Sequence, residues 1–423
     1  MSTKYITLNG ELDKYINNLV YFDTPISIEK FSNSDFDNET KYIIFINSET
    51  SEDNYLSRIK QYLKDKNSPL YYKKIKDLNN IHIVIFFTDK MNATDIYSEE
   101  TNNPVGIAKD LLDKYGLKNE LLNFIMVTYI PEKFKNLEQQ KFKYVYVPFF
   151  SHLPDDKIVD LSRQIYFDYI LPQNNPDTTF LLRKNYYISY NFIGKSHRSM
   201  LYYFLFKENF LKKGIFSYRY GAGDCQFELL PIEEKIQRFI TDVEFGFERN
   251  FCKDVELHKG NNLLQEIVKK IPYKSDMNDE ELLKNSGSVL LNVIDHFSSY
   301  FNIMTITDWN CDQIHLDEKC WKPILTFQPF IAIGPAYSLE GYHSLGFKTF
   351  HPYIDESYDR IEDQGERFLA IMNNINKLCN MSKSQINDWY FKMIDIYEYN
   401  NKLLYEIYYF QSQKKIKKFL ELL

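Results

Sequence analysis

The chain has 423 residues, of which 44% are hydrophobic and 26% are charged. These proportions exclude a disordered chain and a small disulfide-stabilised scaffold, and the length predicts two or three domains. The formal net charge of −7 disfavours nucleic acid as a partner, because a phosphate-binding surface needs an excess of cations.

Cysteine usage and the termini indicate a compartment. The five cysteines have no paired CxxC spacing, so neither a zinc ribbon nor a disulfide framework is expected. The first residues lack a signal-peptide pattern, and no apolar run is long enough to span a bilayer. We therefore expect a cytoplasmic protein. The basic run KKIKK at 414–418 is either the solvated end of a helix or a peripheral contact with anionic lipid or a partner.

The first part of the chain alternates strand-like and helix-like segments. Runs that are apolar on both faces are typical of parallel strands covered by helices on both sides. Four such runs are KYIIFIN (41–47), IHIVIFF (81–87), NFIMVTYI (123–130) and KYVYVPFF (143–150). Amphipathic stretches separate them, so residues 1–175 are predicted to form an α/β, Rossmann-like domain.

A second alternating system follows a polar, proline-containing segment at 171–179, which is the best linker candidate. The predicted elements are a strand at 185–191, a loop at 192–198, a helix at 199–214 with Gly214 as its C-cap, and strands at 299–307, 329–334 and 348–350. We predict a second Rossmann-like domain over 176–385 and a helical tail over 386–423. Two such domains facing a cleft are the layout of GT-B glycosyltransferases, and also of periplasmic binding proteins and some epimerases.

The stretch DEKCWKP (317–323) places two opposite charges before a proline. Proline is tolerated in the first turn of a helix, so Pro323 predicts a helix start at 319–322. The free amides of such a start favour an anion, to which Lys319 adds a cation and Glu318 an acceptor for sugar or ribose hydroxyls. The alternative is that Asp317 caps the helix while Glu318 and Lys319 are solvated.

Two further loops lie where predicted strands end. Gly334 follows the strand at 329–334, and glycine lets a ligand approach the backbone at the carboxyl edge of a parallel sheet. The loop FIGKSHR places Lys195, His197 and Arg198 between a strand and a helix, as in phosphate-binding loops. It carries one glycine and therefore no Walker or dinucleotide fingerprint. A solvated basic loop is the alternative.

These motifs resemble a known family. The segment NYYISYNFIGKSHRSMLYYF resembles the strand, asparagine, basic loop, His-Arg and helix segment of bacterial, phage and giant-virus proteins classed as glycosyltransferases. The stretch from DEKCWKP through PFIAIG and GFKTF to DESYD is similar to their second signature. The Glu-Lys pair also resembles the donor-binding motif of the α1,3-fucosyltransferase family, a GT-B group. The resemblance covers about 185–220 and 299–367.

The resemblance implies a nucleotide-sugar donor as substrate, bound by the second domain. It implies the donor-binding residues Asn191, Lys195, His197, Arg198, Glu318, Lys319, Gly334, Asp355 and Glu356. The cations stabilise the leaving nucleotide in the role otherwise filled by a metal, so no metal and no cofactor are expected. The DxD at 35–37 follows a polar stretch, which disfavours it as a metal site. For the segment DESYD (355–359), the alternative is that Asp355 or Ser357 caps the helix that follows.

An inverting transferase also needs a general base for the acceptor hydroxyl. Glu49, Asp89 and Glu132 each follow a predicted strand of the first domain, and at most one of them is the base. Each is otherwise an ordinary loop or cap carboxylate.

We therefore expect a glycosyltransferase that moves a sugar to a glycan or lipid-linked saccharide acceptor. Transfer to a modified base in phage or viral DNA is one alternative, and a non-catalytic sugar- or nucleotide-binding module is another.

Overall fold

The computed structural model describes residues 2–7, 28–30, 40–47, 61–66, 68, 70–75, 77–78, 80–87, 112–118, 121–126, 143–146, 156–174, 183–191, 194–218, 227, 229–254, 262–271, 273–274, 291–311, 314–407 and 412–422. The chain divides into two compact units. The first unit comprises Met1–Phe149, Cys311–His315 and Tyr405–Leu423, and the second comprises Phe150–Asn310 and Leu316–Leu404. The domain boundaries predicted at 175 and 385 stay predictions.

The first unit contains a six-stranded parallel sheet. Its strands are β1 (Ser2–Thr7), β2 (Ile28–Lys30), β3 (Thr40–Asn47), β4 (Ile81–Phe87), β5 (Leu122–Met126) and β6 (Lys143–Tyr146), in the order β2-β1-β3-β4-β5-β6. Adjacent residues such as Ile43 and Ile44 are both buried, which is what strands covered on both faces require. The predicted parallel sheet is confirmed, whereas strands β1 and β2 were not predicted.

The second unit contains a five-stranded sheet in the order β11-β10-β7-β8-β9. Its strands are β7 (Asn185–Asn191), β8 (Ile215–Tyr218), β9 (Tyr273–Lys274), β10 (Ser299–Thr305) and β11 (Phe330–Ile333). β9 is antiparallel to β8, and the other pairs are parallel. The carboxyl ends of β7, β8, β10 and β11 therefore lie along one edge of the sheet, called here the carboxyl edge, and their amino ends along the opposite, amino edge.

The described helices are numbered along the chain. They are α1 (Tyr72–Ile75), α2 (Asp156–Ile165), α3 (Ser196–Lys207), α4 (Ile232–Gly246), α5 (Arg249–Asp254), α6 (Asn262–Lys269), α7 (Val293–Phe297), α8 (Glu318–Leu325), α9 (Ser338–Ser344), α10 (Gln364–Cys379), α11 (Lys383–Phe391), α12 (Ile394–Glu406) and α13 (Ser412–Leu422). A π-helical turn, Tyr166–Ile170, continues α2, and a 3-10 turn, Glu356–Arg360, precedes α10. None of the helices so described is long and apolar enough to cross a lipid bilayer.

The start of α8 differs from the prediction. The helix begins at Glu318, one residue before the predicted range, so Pro323 lies in its second turn. There the proline ring removes the amide that would bond to the carbonyl of Lys319. Because α8 has only eight residues, few bonds of the helix depend on that position.

Two further local predictions are wrong. α3 ends at Lys207, followed by left-handed Asn209 (φ 58°), so Gly214 is not its C-cap. Gly214 is extended, and a Cβ atom there would lie 2.6 Å from the carbonyl oxygen of Tyr187. The predicted strand at 348–350 is irregular, because the amide and carbonyl of Lys348 bond to the side chain of Asn400 instead of to a strand.

Candidate functional site

Three basic side chains bind the backbone where β10 ends: Lys195, the N-cap of α3, and His197 and Arg198, which lie in the first turn of α3 and not in the predicted loop. Arg198 Nη2, His197 Nε2 and Lys195 Nζ donate to the carbonyl oxygens of residues 305, 306 and 307 at 3.5, 3.0 and 2.7 Å respectively. A carbonyl oxygen only accepts, so Nε2 of His197 carries the proton. The basic loop predicted from the sequence thus fixes the exit of the neighbouring strand.

The ring of His197 lies at the centre of this group. It is buried and stacks on Trp309, with 5.7 Å between ring centroids. Burial lowers its pKa well below the usual 6.5, and the positive charges of Arg198, Lys195 and Lys319 lower it further. His197 is therefore neutral. All three cations thus act on the same buried ring at the carboxyl edge.

The cap of α8 joins this group. Asp317 accepts from the backbone amide of Lys319 at 3.0 Å, and its other carboxylate oxygen accepts from the hydroxyl of Thr307. That oxygen also lies 3.3 Å from Lys319 Nζ. Asp317 is 4% exposed and the side chain of Lys319 23%. The alternative that Asp317 caps the helix is confirmed, but Lys319 is paired and partly buried. The side chain of Glu318 lies outside the described part of the chain.

The lysine of the β7–α3 connection also has a carboxylate neighbour. Lys195 Nζ lies 3.5 Å from Asp308 Oδ1. Around His197, the cations Lys195, Arg198 and Lys319 therefore accompany two carboxylates, those of Asp308 and Asp317. Among the side chains that the structure describes around this ring, the cations outnumber the carboxylates, and the amides of the first turn of α8 also favour an anion.

Asn191, at the end of β7, is buried and bonded within the sheet. Its Oδ1 accepts from Thr305 Oγ1 at 2.7 Å, and its Nδ2 donates to Ser189 Oγ at 3.1 Å. Its backbone amide donates to Ser217 Oγ at 3.1 Å. These bonds join the carboxyl ends of three adjacent strands. The donor-binding role predicted for Asn191 stays a prediction.

The connection after β11 carries a close packing contact and a left-handed residue. A Cβ atom on Gly334 would lie 2.7 Å from Ile306 Cδ1 and 2.8 Å from Ser338 Oγ, so any larger residue would require these side chains to move. Tyr337, just before α9, has φ 67°, a conformation that costs a non-glycine residue about 1–3 kcal/mol and that concentrates at functional sites. Gly334 thus has a packing role, and its predicted backbone contact with a donor stays a prediction.

Asp359 stabilises the connection between β11 and α9 by accepting hydrogen bonds from two of its backbone amides. Its Oδ1 accepts from the amide of Leu339 at 3.0 Å, and its backbone carbonyl accepts from the amide of Tyr337 at 2.6 Å. Burial raises its pKa to about 7, in spite of the bond from Leu339. Our sequence analysis missed this residue, although it is the last carboxylate of DESYD.

The other two carboxylates of DESYD bind neighbouring backbone and side-chain groups. Asp355 is exposed and accepts from the amide of Ser357 at 3.1 Å, which caps the 3-10 turn. Glu356 accepts from Thr349 Oγ1 and from the amide of Phe350, both at 2.6 Å. The capping alternative is confirmed for Asp355, and donor binding by Asp355 or Glu356 stays a prediction.

Arg367 of α10 reaches the same edge. Its Nη1 donates to the carbonyls of Ile361 and Glu362 at 2.7 and 3.0 Å, and its guanidinium lies 4.5 Å from the ring centroid of Trp309. Trp309 Nε1 in turn donates to the carbonyl of Gly246 at 3.0 Å. The residues after β10 are thereby held from both sides.

A half-buried carboxyl group that the sequence analysis missed lies beside β8. Asp242 of α4 accepts from the hydroxyl of Ser199, which lies 2.6 Å from the hydroxyl of Tyr218. Burial raises the pKa of Asp242 above its usual value. No local pattern marked it, because residues 224–290 mix charge with helical periodicity.

The three base candidates Glu49, Asp89 and Glu132 lie outside the described residues, as does the DxD at 35–37. Across the residues that are described, no three histidine, cysteine, aspartate or glutamate side chains are grouped so as to hold a metal ion.

Comparison with known proteins defines no family for the chain. No family model and no curated protein matches the sequence. Among solved structures, the chain is similar to the N-terminal domain of the Candida albicans trehalose-6-phosphate phosphatase, with 10% identity over 99% of this chain and 96% of that one. The TM-score is 0.34, too low to support an argument. The structure itself defines a mixed α/β protein with parallel sheets.

Proposed function

We propose that this chain is a metal-independent GT-B glycosyltransferase that moves a sugar from a nucleotide-sugar donor to a glycan or lipid-linked saccharide acceptor. The motif resemblance gives the reaction class. The observation that carries the proposal is the convergence of Lys195, Arg198 and Lys319 around the neutral His197 at the carboxyl edge of the second unit's sheet.

That location suits a diphosphate. Ligands of open α/β sheets bind beyond the carboxyl ends of the strands, where loops and helix starts converge. Cations that are held in place before the reaction stabilise a leaving diphosphate without having to reorganise. Here Lys195 and Arg198 are held by backbone carbonyls and Lys319 by Asp317.

Exposure divides the roles among the cations. The side chains of Lys195 and Lys319 are 33% and 23% exposed, whereas Arg198 is buried. The two lysines therefore contact the diphosphate, while Arg198 contributes its field and positions the end of β10. In this proposal Glu318 accepts a hydrogen bond from a ribose or sugar hydroxyl of the donor. One of Glu49, Asp89 and Glu132 is the general base for the acceptor hydroxyl.

The first test is a thermal-unfolding screen of the full chain against UDP, GDP, CMP, ADP and dTDP, with and without a chelator. A ligand that binds only the native state raises the midpoint. We expect one nucleotide to raise it equally in both buffers. Absence of a shift with all five nucleotides would contradict the proposal.

Variants then locate the site. Lys195→Ala and Lys319→Ala should each lower, by about tenfold or more, the affinity for the nucleotide that raises the midpoint. Each change removes a hydrogen bond to a charged group. Lys377→Ala is the matched control, an exposed lysine of α10 in the same unit. Equal nucleotide affinity in all three variants would remove the site from the carboxyl edge.

Catalysis is tested with the nucleotide sugar that corresponds to the active nucleotide. Release of free nucleotide, accelerated by an acceptor saccharide, is the expected result. Binding without release would identify a non-catalytic module, and salt-sensitive binding of DNA would favour the alternative acceptor.

A further inference from the structure

One face of α13 is fixed on the first unit. The helix spans Ser412–Leu422 and contacts β6. Phe419 and Leu420 are buried, and the backbone carbonyl of Leu420 accepts from Lys41 Nζ at 3.1 Å. Because these contacts set the rotation of the helix about its axis, they also decide which side chains it presents to solvent.

The solvent-facing side of α13 carries a basic stripe, defined by Lys414, Lys415, Lys418 and Leu422. All four residues are exposed, Leu422 by 66%. Residues three or four positions apart share one face of a helix. Lys414, Lys418 and Leu422 follow one another at intervals of four, and Lys415 lies three positions before Lys418. Glu421 is the one carboxylate of the helix, so the stripe has a net positive charge.

The charge of the stripe is not neutralised locally. Within the described part of the chain, the ion pairs involve other lysines than Lys414, Lys415 and Lys418. Partial desolvation lowers the pKa of Lys415, although the residue as a whole is exposed. The chain as a whole has a formal net charge of −7 and repels anionic surfaces, so a local basic stripe decides which face meets an anionic partner.

We propose that the basic stripe of α13 docks the first unit on a membrane surface that contains anionic lipid. Headgroup phosphates complement the three lysines, and each lysine near such a surface strengthens binding about fivefold. Leu422 continues the same row, where its apolar side chain buries in the lipid interface. A nucleic-acid backbone would pair with the lysines but would leave Leu422 in water, so lipid fits the stripe better.

The expected docking is weak and reversible. The three lysines together contribute about a hundredfold to the partition coefficient. α13 buries its other face in the protein, so it does not insert as an isolated amphipathic helix does. If the stripe docks on lipid, the acceptor is the lipid-linked saccharide rather than a soluble glycan. That last step rests on the proposed function, whereas the docking itself does not.

The test is flotation of the full chain with vesicles of phosphatidylcholine alone or of phosphatidylcholine mixed with phosphatidylglycerol. We expect binding to the mixed vesicles only, and a fall in binding as the salt concentration rises, because salt screens exposed charges. A triple variant, Lys414→Gln, Lys415→Gln and Lys418→Gln, should lower the partition coefficient about a hundredfold. Its fold should be unaffected, since substitutions of exposed lysines change stability little.

The matched control removes the same charge elsewhere in the first unit. It changes three exposed lysines to glutamine, Lys64, Lys66 and Lys73, and should bind the mixed vesicles like the wild type. Equal losses in the two triple variants would mean that net charge and not the stripe drives binding, and would overturn the proposal. Absence of wild-type binding to the mixed vesicles would overturn it as well.

Leu422→Ala tests the choice of lipid as the partner. Because the change removes apolar surface that lipid would cover, it should lower the partition onto mixed vesicles several-fold. The affinity for heparin, a polyanion without hydrocarbon, should stay unchanged. An unchanged partition onto vesicles would mean that the lysines act alone, as they would on any polyanion, and would refute docking on lipid.

Docking and donor binding fail independently. The vesicle assay contains no nucleotide, so its outcome does not depend on the proposed donor site. The triple variant of α13 should keep the nucleotide-induced rise of the unfolding midpoint, and Lys319→Ala should keep vesicle binding. Vesicle binding that disappears in Lys319→Ala and persists in the triple variant would assign the contact to the carboxyl edge of the second unit and refute docking through α13.

Discussion

The two edges of the second unit's sheet each bury an arginine, but they use it differently. At the carboxyl edge, Arg198 donates to the backbone at the end of β10, and the two lysines beside it have carboxylate neighbours. At the amino edge, Arg183 donates from Nε to the carbonyl of Phe297, and its guanidinium lies on the rings of Tyr390 and Tyr300. At the first edge, Lys195, His197 and Arg198 hold the backbone where β10 ends. At the second edge, aromatic rings are the main neighbours of the guanidinium.

Buried histidines repeat the contrast. His197 at the carboxyl edge bonds to a backbone carbonyl, whereas His296 at the amino edge donates from Nδ1 to Gln328 Oε1 at 2.8 Å. Nε2 of His296 has no partner in the structure. Burial lowers the pKa of both rings, so both are neutral at pH 7.

The largest expected effect concerns Asp359 at the carboxyl edge, whose pKa is raised to about 7 from an ordinary 3.8. The folded state then binds more protons than the unfolded state between these values, so stability falls as pH rises through the window, by up to ~1.4 kcal/mol per pH unit. Asp359→Asn removes this loss. Between pH 4 and 8, urea unfolding should show the free energy of unfolding of the variant rising by up to about 4 kcal/mol relative to that of the wild type.

The matched control for Asp359→Asn is Asp363→Asn. The exposed carboxylate of Asp363 caps α10 by accepting from the amide of Glu366. Asparagine caps a helix as well as aspartate does. A similar pH trend in both variants would show that burial of Asp359 is not its cause.

At the amino edge the sign is opposite. Burial lowers the pKa of His296 to about 4, so its contribution to stability is complete above 6.5 and is lost as pH falls toward 4. His296→Phe abolishes the titration but sacrifices the bond to Gln328, at a cost of about 1 kcal/mol at pH 7. From pH 7 to 4 the wild type should lose up to about 3 kcal/mol relative to the variant. The exposed His343, changed to Phe, is the control, and an equal trend there would exclude burial as the reason.

Packing at the carboxyl edge gives the next effect. A Cβ atom on Gly246, the last residue of α4, would clash with the Ser196 side chain at the start of α3. Gly246→Ala should therefore cost about 2 kcal/mol in the free energy of unfolding. Phe245→Ala, at the adjacent position that is 89% exposed, should stay within about 0.5 kcal/mol of the wild type. Equal losses would mean that α3 moves aside to accept the methyl group.

The smallest effect is that of Lys319→Ala on stability without ligand. Asp317 loses the ion pair but keeps its bonds to Thr307 and to the amide of residue 319, so the cost should be about 1 kcal/mol. Chemical unfolding measures it, with Lys377→Ala near zero. A loss of several kcal/mol would mean that the fold itself depends on this lysine, and would make the variant unsuitable for binding tests.

Strand positions were predictable because they depend on local apolar patterns. β7 has the predicted bounds, 185–191, and β10 begins at the predicted Ser299. The strand predicted at 348–350 failed because Asn400, about fifty residues away in the chain, supplies the bonds that a neighbouring strand would have supplied. Local patterns do not contain such distant partners.

The candidate site divides in the same way. The sequence identified Lys195, His197 and Arg198 by type and by their place between strand and helix. Their partners, the carbonyls of residues 305–307, are more than a hundred residues distant and depend on the pairing of β7 with β10. Asp242 was not singled out at all, because its neighbours Ser199 and Tyr218 lie on other elements and no local pattern links the three.

Trp309 has a practical consequence for every experiment above. It is one of three tryptophans in the chain, and its indole neighbours both the neutral ring of His197 and the guanidinium of Arg367, at the edge where we propose the donor to bind. Any rearrangement of either neighbour changes the environment of that indole. The molecule thus contains its own fluorescent reporter, and Trp321→Phe together with Trp389→Phe would isolate the emission of Trp309 as an optical record of ligand arrival.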